Sequence, residues 1–161
     1  MRLILGIDPG KSGGLSVIDE NLNLIATYSM PTVKVSGKDK VCPKGLQAIF
    51  ESHAIDLAVI EKVGARPGQG VVSMFSFGDS YGVVRALAEV YASRLVFATS
   101  HEWKGYQYLI GLSKEQTAEV AFEIFKAPGI YGRKRKDGTY SVRDGISDSL
   151  MIAKFGIRLL E

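Results

Sequence analysis

The chain has 161 residues, of which 46% are hydrophobic and 23% charged, and these values predict one soluble module with a single core. No apolar run approaches the roughly 18 residues of a membrane span, so the sequence excludes the membrane and disordered classes. The net charge of +3 is too small to indicate a partner by itself.

The N-terminal part of the chain predicts three strands, a helix and a fourth strand. Short apolar runs separated by turn residues indicate an antiparallel meander. Pro43 suits the first turn of a helix, and apolar residues at helical spacing follow it up to Ala54. A continuous apolar run then predicts a buried parallel strand that stops at Glu61. The predicted strands are Leu3–Ile7, Gly14–Asp19, Leu22–Met30 and Leu57–Ile60.

The second half of the chain predicts four helical segments and one strand. A long helix should be broken or tightly packed near Gly78 and Gly82, and Ser113 with Gln116 forms a capping-box signature. The order of elements predicts an α/β domain with a mixed five-stranded sheet. The predicted segments are a helix from Val72 to Tyr91, a strand at Leu95–Ala98, a helical turn at Trp103–Ile110, a helix from Ser113 to Lys126 and a last helix from about Ser141 to Leu160.

Two segments concentrate positive charge. Val33–Lys44 has four lysines against one aspartate, and Tyr131–Arg143 has five basic residues against one aspartate. Neither segment shows apolar periodicity, so we expect both to be loops. Either segment alone is typical of a solvated loop. The pair, in a chain with a carboxylate site, favours contacts to a phosphate backbone.

Cysteine and histidine are scarce, which limits the metal chemistry. Cys42 has no second cysteine to pair with, and the segment before Asp8 lacks the apolar core of a signal peptide, so we expect a cytoplasmic location. One cysteine and two histidines argue against a zinc site. A metal would therefore be a hard cation held by carboxylates, which favours Mg²⁺ or Mn²⁺.

Four acidic residues occupy positions where such a metal site would form. Asp8 follows the first strand and Glu61 the fourth, while Asp144 and Asp148 lie four residues apart on one face of the last helix. Sites in open α/β sheets form at the carboxyl ends of strands, so we expect the four acids to converge there. Divalent cations would neutralise their repulsion, and a pair about 4 Å apart activates water against a phosphodiester. The pattern predicts a magnesium nuclease.

Each acid also has a purely structural explanation. Asp8 precedes Pro-Gly, where aspartate is an ordinary turn residue, and Glu61 could form a surface ion pair with its lysine neighbour. Asp144 could complete a capping box at the start of the last helix. Asp148 has the weakest alternative, because aspartate is a poor helix former in mid-helix.

Five segments occur in an order that is typical of one known family. They are LGIDPG at 5–10, AVIEKV at 58–63, RPGQG leading into SMFSFG between 66 and 78, Trp103-Lys104, and Asp144 to Leu150. Over nearly the whole chain they resemble the RuvC-like Holliday junction resolvases of the ribonuclease H-like superfamily, in particular the short phage-encoded branch. The resemblance implies a single nuclease domain over residues 1–161, with three antiparallel strands and then parallel strands in a five-stranded sheet flanked by helices.

The resemblance also implies a crossover junction endodeoxyribonuclease that works as a homodimer on four-way DNA, in the host cytoplasm if phage-encoded. Two ions, Mg²⁺ or Mn²⁺, would bind at each site. Family roles fall on Asp8 as the ligand shared by both ions, Glu61 as a ligand of one, and Asp148 as the ligand on the last helix. Cellular members place their last two acids three residues apart. Here that offset falls on Gly145, so Asp144 is the candidate for the fourth ligand.

The remaining family features concern DNA binding and assembly. Lys104 and Lys114 resemble the basic residues near the scissile phosphate and the junction arms, and Lys104 is also a candidate catalytic residue. The helix after Gly70 resembles the dimer-forming helix. The aromatic residue that wedges into the junction in cellular members has no counterpart after Glu61. The candidate DNA-binding residues are Arg66, Lys104, Lys114, Arg133, Lys134, Arg135 and Lys136.

Three other functions compete with this interpretation. The Asp8–Gly14 segment also resembles the first phosphate loop of actin-like and sugar-kinase ATPases, but those proteins need two copies of the domain. A small RNA-processing enzyme of the same superfamily shares the first strand and the acids, and the segment 66–70 favours the resolvase. A junction-binding protein without catalysis would lack an acid, and all four are present.

Overall fold

The structure is a computed structural model and describes residues 1–160. Its strands are β1 (Leu3–Asp8), β2 (Gly14–Asp19), β3 (Leu24–Ser29), β4 (Thr32–Val35), β5 (Lys38–Val41), β6 (Leu57–Lys62), β7 (Arg94–Thr99), β8 (Tyr131–Lys134) and β9 (Tyr140–Val142). Its α-helices are α1 (Pro43–Glu51), α2 (Val71–Tyr91), α3 (Ser100–Tyr106), α4 (Lys114–Phe125) and α5 (Asp144–Gly156). Short 3₁₀ turns lie at Pro128–Ile130 and Ile157–Leu159.

A mixed five-stranded sheet in the order β3-β2-β1-β6-β7 forms the centre of the fold. The first three strands pair antiparallel, while β1–β6 and β6–β7 pair parallel. The predicted fold class is therefore confirmed. The three central strands are almost entirely buried, because layers of apolar side chains cover both faces of the sheet.

Helix α5 lies across one face of the sheet at very short range. A side chain at Gly6 of β1 would meet the Ser149 carbonyl oxygen at 2.1 Å, so the glycine is what allows this approach. The buried hydroxyls of Ser16 and Ser149 hydrogen-bond at 2.6 Å between β2 and the helix. The close approach at Gly6 and this hydrogen bond hold α5, with both of its acids, against β1 and β2.

The predicted helical turn at Trp103–Ile110 had the wrong extent, because α3 begins at Ser100 and ends at Tyr106. Helix α2 is continuous over 21 residues, and side chains at Gly78 and Gly82 would meet nothing within 4 Å. The prediction of a break or tight packing there was wrong. The capping box of Ser113 with Gln116 is confirmed at the start of α4.

Within residues 1–160, no helix combines the length and the apolar character needed to cross a membrane.

Both basic segments form hairpins rather than loops. β4 pairs with β5, and β8 pairs with β9. The expectation missed them because the strands have only three or four residues and are mostly exposed, so the short alternations at Thr32–Val35 and Tyr140–Val142 mark no buried face. Tyr131 packs against Phe122 and Tyr140, which anchors the second hairpin to α4. This hairpin occupies the residues predicted to begin the last helix, so α5 starts at Asp144 rather than Ser141.

Candidate active site

Two of the four acids lie side by side at one edge of the sheet. Asp8 ends β1 and Glu61 is the fifth residue of β6. The two strands are parallel neighbours, with Ile7 opposite Ile60, so Asp8 and Glu61 are at equivalent positions. The carboxyl ends of parallel strands thus bring these two carboxylates together, as the sequence predicted.

Helix α5 brings the other two acids to the same edge. Asp144 is its first residue, and Asp148 lies one turn further along the same face. Burial, followed by the charges of Asp148, Glu61 and Asp144, raises the pKa of Asp8 to about 8. Since each of the other three acids contributes to this shift, all four share one local electrostatic environment.

The surroundings of Asp148 and Glu61 also disfavour the charged form of each carboxyl group. Burial raises the pKa of Asp148 to about 6, with further contributions from Glu61 and Asp144. Burial also raises the pKa of Glu61, against the opposing effects of Lys104, Ser100 and Trp103. The site therefore gathers more negative charge than its own residues neutralise, which is typical of functional carboxylate clusters.

Two lysines provide the positive charge nearest to the acids. Lys104 lowers the pKa values of Asp8, Glu61 and Asp148 through its charge. Lys114 forms an ion pair with Asp144, with 2.5 Å between Nζ and Oδ2, and this contact raises the pKa of the lysine. Both of these predicted residues therefore face the acid cluster.

Asp144 does not act as a helix cap. The N-cap of α5 is Arg143, which makes no side-chain capping bond, and Asp144 is the residue after it. The capping-box alternative for Asp144 was therefore wrong. Its carboxylate instead accepts a hydrogen bond from the Lys114 ammonium. An acid in the first turn of a helix is also stabilised by the helix dipole.

The four-residue spacing of the acids on α5 has a structural cause. Gly145 packs against the turn between β1 and β2, and a side chain there would meet the carbonyl carbon of Gly13 at 2.4 Å. An acid three residues before Asp148 therefore has no room. The same contact counts against the phosphate-loop alternative, because the backbone of α5 already packs against the glycines of that turn.

The donor set of this cluster fits a hard divalent cation. All four side chains offer carboxylate oxygens, which Mg²⁺ prefers, and burial together with the neighbouring acids raises the pKa values of Asp8 and Asp148. Among residues 1–160, no three His, Cys, Asp or Glu side chains are grouped so that they could hold an ion as they stand. An open arrangement suits Mg²⁺, which usually keeps several waters and uses few protein carboxylates together with substrate phosphates.

The other predicted DNA-binding residues lie on surfaces around the cluster. Arg66 lines a cavity of about 500 Å³ together with Glu61 and Lys104. Arg66 and Val63 also line an adjoining cavity of about 430 Å³ that extends to α2. The four residues Arg133, Lys134, Arg135 and Lys136 form the exposed end of the β8–β9 hairpin, whose second strand ends two residues before Asp144.

Sequence reasoning assigned no role to two residues next to Glu61. Ser100 and Trp103, both in α3, lie close enough to Glu61 to lower the pKa of its carboxyl. Trp103 belongs to one of the family motifs because it precedes Lys104, and this was the only signal available. Its complete burial beside a carboxylate could not be read from the sequence.

Comparison by sequence finds no matching family model and no matching curated protein. Comparison by structure finds RuvC of T. thermophilus in complex with a Holliday junction substrate, at a TM-score of 0.65 and 18% identity over 99% of this chain and 97% of that chain. A second structure of Thermus thermophilus RuvC matches at a TM-score of 0.55 and 17% identity, over 98% and 96% of the two chains. The fowlpox virus Holliday junction resolvase matches at a TM-score of 0.55 and 15% identity, over 98% and 99%. The chain therefore has the ribonuclease H-like fold of the RuvC-type resolvases.

Proposed function

We propose that residues 1–161 form a single nuclease domain that resolves four-way DNA junctions by paired, divalent-metal-dependent hydrolysis of phosphodiester bonds. The observation that carries this proposal is the cluster of four carboxylates at the carboxyl ends of β1 and β6, where burial, together with the charges of Asp148, Glu61 and Asp144, raises the pKa of Asp8 to about 8. The fold supports it, since two similar structures are RuvC and a viral resolvase, and one of them holds a Holliday junction substrate.

The side chains of the cluster have distinct roles in this proposal. Asp8, Glu61 and Asp148 would hold two Mg²⁺ or Mn²⁺ ions, with Asp144 as the fourth ligand. When bound, the ions activate the attacking water and stabilise the leaving oxygen. Lys104 acts on the same acids through its charge and would attract the scissile phosphate. Lys114 competes with an ion for Asp144, because its ammonium contacts that carboxylate.

The surroundings of the cluster support a nucleic acid as substrate. The two cavities that meet at Arg66 form a continuous depression from Glu61 to the first turns of α2. Arg66 and Lys104 give this depression positive charge, and Glu61 is the member of the acid cluster that lines it. A DNA backbone passing through it would reach the carboxylates while its phosphates contact the basic side chains.

The proposed function is tested with a panel of labelled nucleic acids. A four-way junction, a fork, a flap, plain DNA duplex and a structured RNA are each incubated with the protein and Mg²⁺. We expect symmetric, ligatable nicks in the junction and slow or no cutting of the duplex. Cutting of the RNA alone would favour the RNA-processing alternative, and tight junction binding without cutting would favour a binding protein.

The basic end of the β8–β9 hairpin should contribute to DNA affinity through its charge. Replacing Arg133, Lys134, Arg135 and Lys136 together by alanine should reduce the dependence of log affinity on log salt by about 0.9 for each lost phosphate contact. The cleavage positions should not change, because such contacts carry no sequence information. Fluorescence anisotropy at several salt concentrations measures the slope. Lys126→Ala removes a lysine that is paired with Glu123 and serves as the control.

An unchanged salt slope in the quadruple variant would show that the hairpin does not contact the junction. A changed cleavage sequence would instead show that it reads bases.

The exposed face of α2 supports a homodimer. Val71 and Phe75 are 84% and 80% exposed, and they lie on the same side of the helix as Gly78 and Gly82, where a neighbouring backbone has room to approach. Paired cuts across a junction also require two sites related by twofold symmetry. We expect a dimer by light scattering at micromolar concentration, and a monomer for Phe75→Glu. Tyr108→Glu, a change at a 92% exposed residue elsewhere, should leave the dimer intact.

A further inference from the structure

The indole N–H of Trp103 is a buried polar group without a hydrogen-bond partner. The side chain has no solvent exposure, and its Nε1 is the one buried side-chain nitrogen or oxygen in residues 1–160 that lacks a partner. Leaving such a donor unpaired costs about 1–3 kcal/mol, so buried polar groups without partners are rare and call for an explanation.

Glu61, a carboxylate of the acid cluster, lies near this N–H. Glu61 of β6 is paired with Ala98 of β7, and α3 begins two residues after Ala98. Glu61, Ser100 and Lys104 line one cavity, and Trp103 is a buried residue of the helix that holds Ser100 and Lys104. The Trp103 indole lies close enough to influence the pKa of Glu61, yet its N–H completes no hydrogen bond.

Helix α3 holds the indole in a fixed position. Thr99 and Glu102 form a complete capping box at its start. At its end, Gln107 Nε2 donates to the carbonyl oxygens of Trp103 and Met151, each at 2.9 Å, and so ties α3 to α5. The N–H is therefore presented from a rigid element that is attached to the helix carrying Asp148.

We propose that Trp103 is a positioning residue for Glu61, whose indole N–H donates to one carboxylate oxygen and leaves the other directed towards a divalent cation. The inference rests on the proposed function, because it assumes that Glu61 is a metal ligand. It accounts for two observations together. The indole N–H has no partner, and the neighbouring acids in residues 1–160 do not form a group that could hold an ion as they stand. Hydrogen bonds of this kind fix the orientation of a ligand, and losing one typically weakens metal binding about 10–100-fold.

The chain has a single tryptophan, which allows a very specific test. Expression with 3-benzothienylalanine in place of tryptophan changes Trp103 alone and replaces its N–H by sulfur in a ring of similar size. The dissociation constant for Mn²⁺, measured by calorimetry on the full chain, should rise about 10–100-fold. The unfolding temperature in chelator should stay the same or rise, because the unpaired donor is gone.

Two further variants separate positioning from packing. Trp103→Phe also removes the N–H and should weaken Mn²⁺ binding in the same way, with some loss of stability from the smaller ring. Tyr106→Phe removes a hydroxyl from the same helix, on a side that packs against Phe155 and Arg158, and should leave Mn²⁺ affinity unchanged. In the unmodified protein, Mg²⁺ should shift the fluorescence of Trp103, and Glu61→Gln should abolish this shift.

The outcomes distinguish this inference from the proposed function. An unmodified protein that binds no Mn²⁺ would overturn both. If the unmodified protein binds Mn²⁺ and the benzothienyl protein binds it equally well, the role of Trp103 is wrong while the proposed function stands. A lower unfolding temperature of the benzothienyl protein in chelator, with unchanged Mn²⁺ affinity, would assign Trp103 to packing alone.

Discussion

Asp8→Asn, Glu61→Gln and Asp148→Asn should each reduce incision of a four-way junction by at least about 10³-fold, because bound ions supply several kcal/mol of transition-state stabilisation. Junction binding should change little, since the phosphate contacts that hold DNA come from basic groups. Single-turnover incision assays and gel-shift titrations on the same preparations measure the two effects. All three residues lie where their charges interact, so each loss should affect the same step.

A matched control exists at the opposite end of β6. Asp56 lies just before the strand and accepts a hydrogen bond from the Leu3 amide at 2.7 Å. Asp56→Asn makes the same chemical change away from the cluster and keeps an oxygen that can accept this bond. It should cut at the wild-type rate. If any of the three cluster variants also cuts at that rate, the residue concerned does not belong to the catalytic site.

Asp144 is a separate case because it already has a partner. If it binds a metal ion, Asp144→Asn should slow incision about as strongly as the other substitutions. If its role is limited to the partly exposed ion pair with Lys114, the variant should lose at most about 1 kcal/mol of stability and keep its rate. Lys114→Met removes the partner without removing the carboxylate, and in the first case it should increase the affinity for Mn²⁺.

The sheet and the convergence of the acids could be predicted from local patterns. Runs of apolar residues identify the strands, and the rule that sites form at carboxyl ends places Asp8 beside Glu61. The two hairpins could not be predicted in this way. Their residues are mostly exposed, so no burial pattern marks them, and the second one displaced the predicted start of α5.

Details of the site depend on contacts between residues far apart in the sequence. The close approach of α5 to Gly13 leaves no room for an acidic side chain at position 145, so the acid lies at Asp144. No local sequence pattern encodes this approach. Lys114 and Asp144, which pair with each other, are 30 positions apart in the sequence and belong to different helices. The unpartnered N–H of Trp103 likewise depends on how α3 packs against α5.

The acid cluster should make the metal-free protein less stable as the pH rises. Asp8 has a pKa of about 8 in the folded protein, well above its ordinary value of 3.8, because of burial and the neighbouring acids. Between these two values the folded chain keeps a proton that the unfolded chain releases. The stabilising contribution of protonated Asp8 is therefore complete below about pH 4 and is lost as the pH rises to about 8. Asp148, with a pKa of about 6, adds to the loss over the lower part of this range.

Asp8→Asn should consequently stabilise the metal-free protein while abolishing its activity. One pKa unit corresponds to about 1.4 kcal/mol, so we expect the substitution to raise the free energy of unfolding at pH 8 by about 2–4 kcal/mol, and by little at pH 4. Urea unfolding in chelator at both pH values measures this. Asp56→Asn should show no such gain.

Adding Mg²⁺ at pH 8 should reverse the order of the two proteins. The ion neutralises the ionised carboxylates of the wild type and stabilises it by mass action, whereas the side-chain amide of the Asp8→Asn variant offers only a neutral oxygen, so this variant should gain much less. Repeating the urea unfolding at pH 8 with millimolar Mg²⁺ tests this. Equal stabilisation of both proteins would show that Asp8 does not bind the ion. A wild type whose stability is constant from pH 4 to pH 8 in chelator would show that its four carboxylates are not forced together in the folded chain.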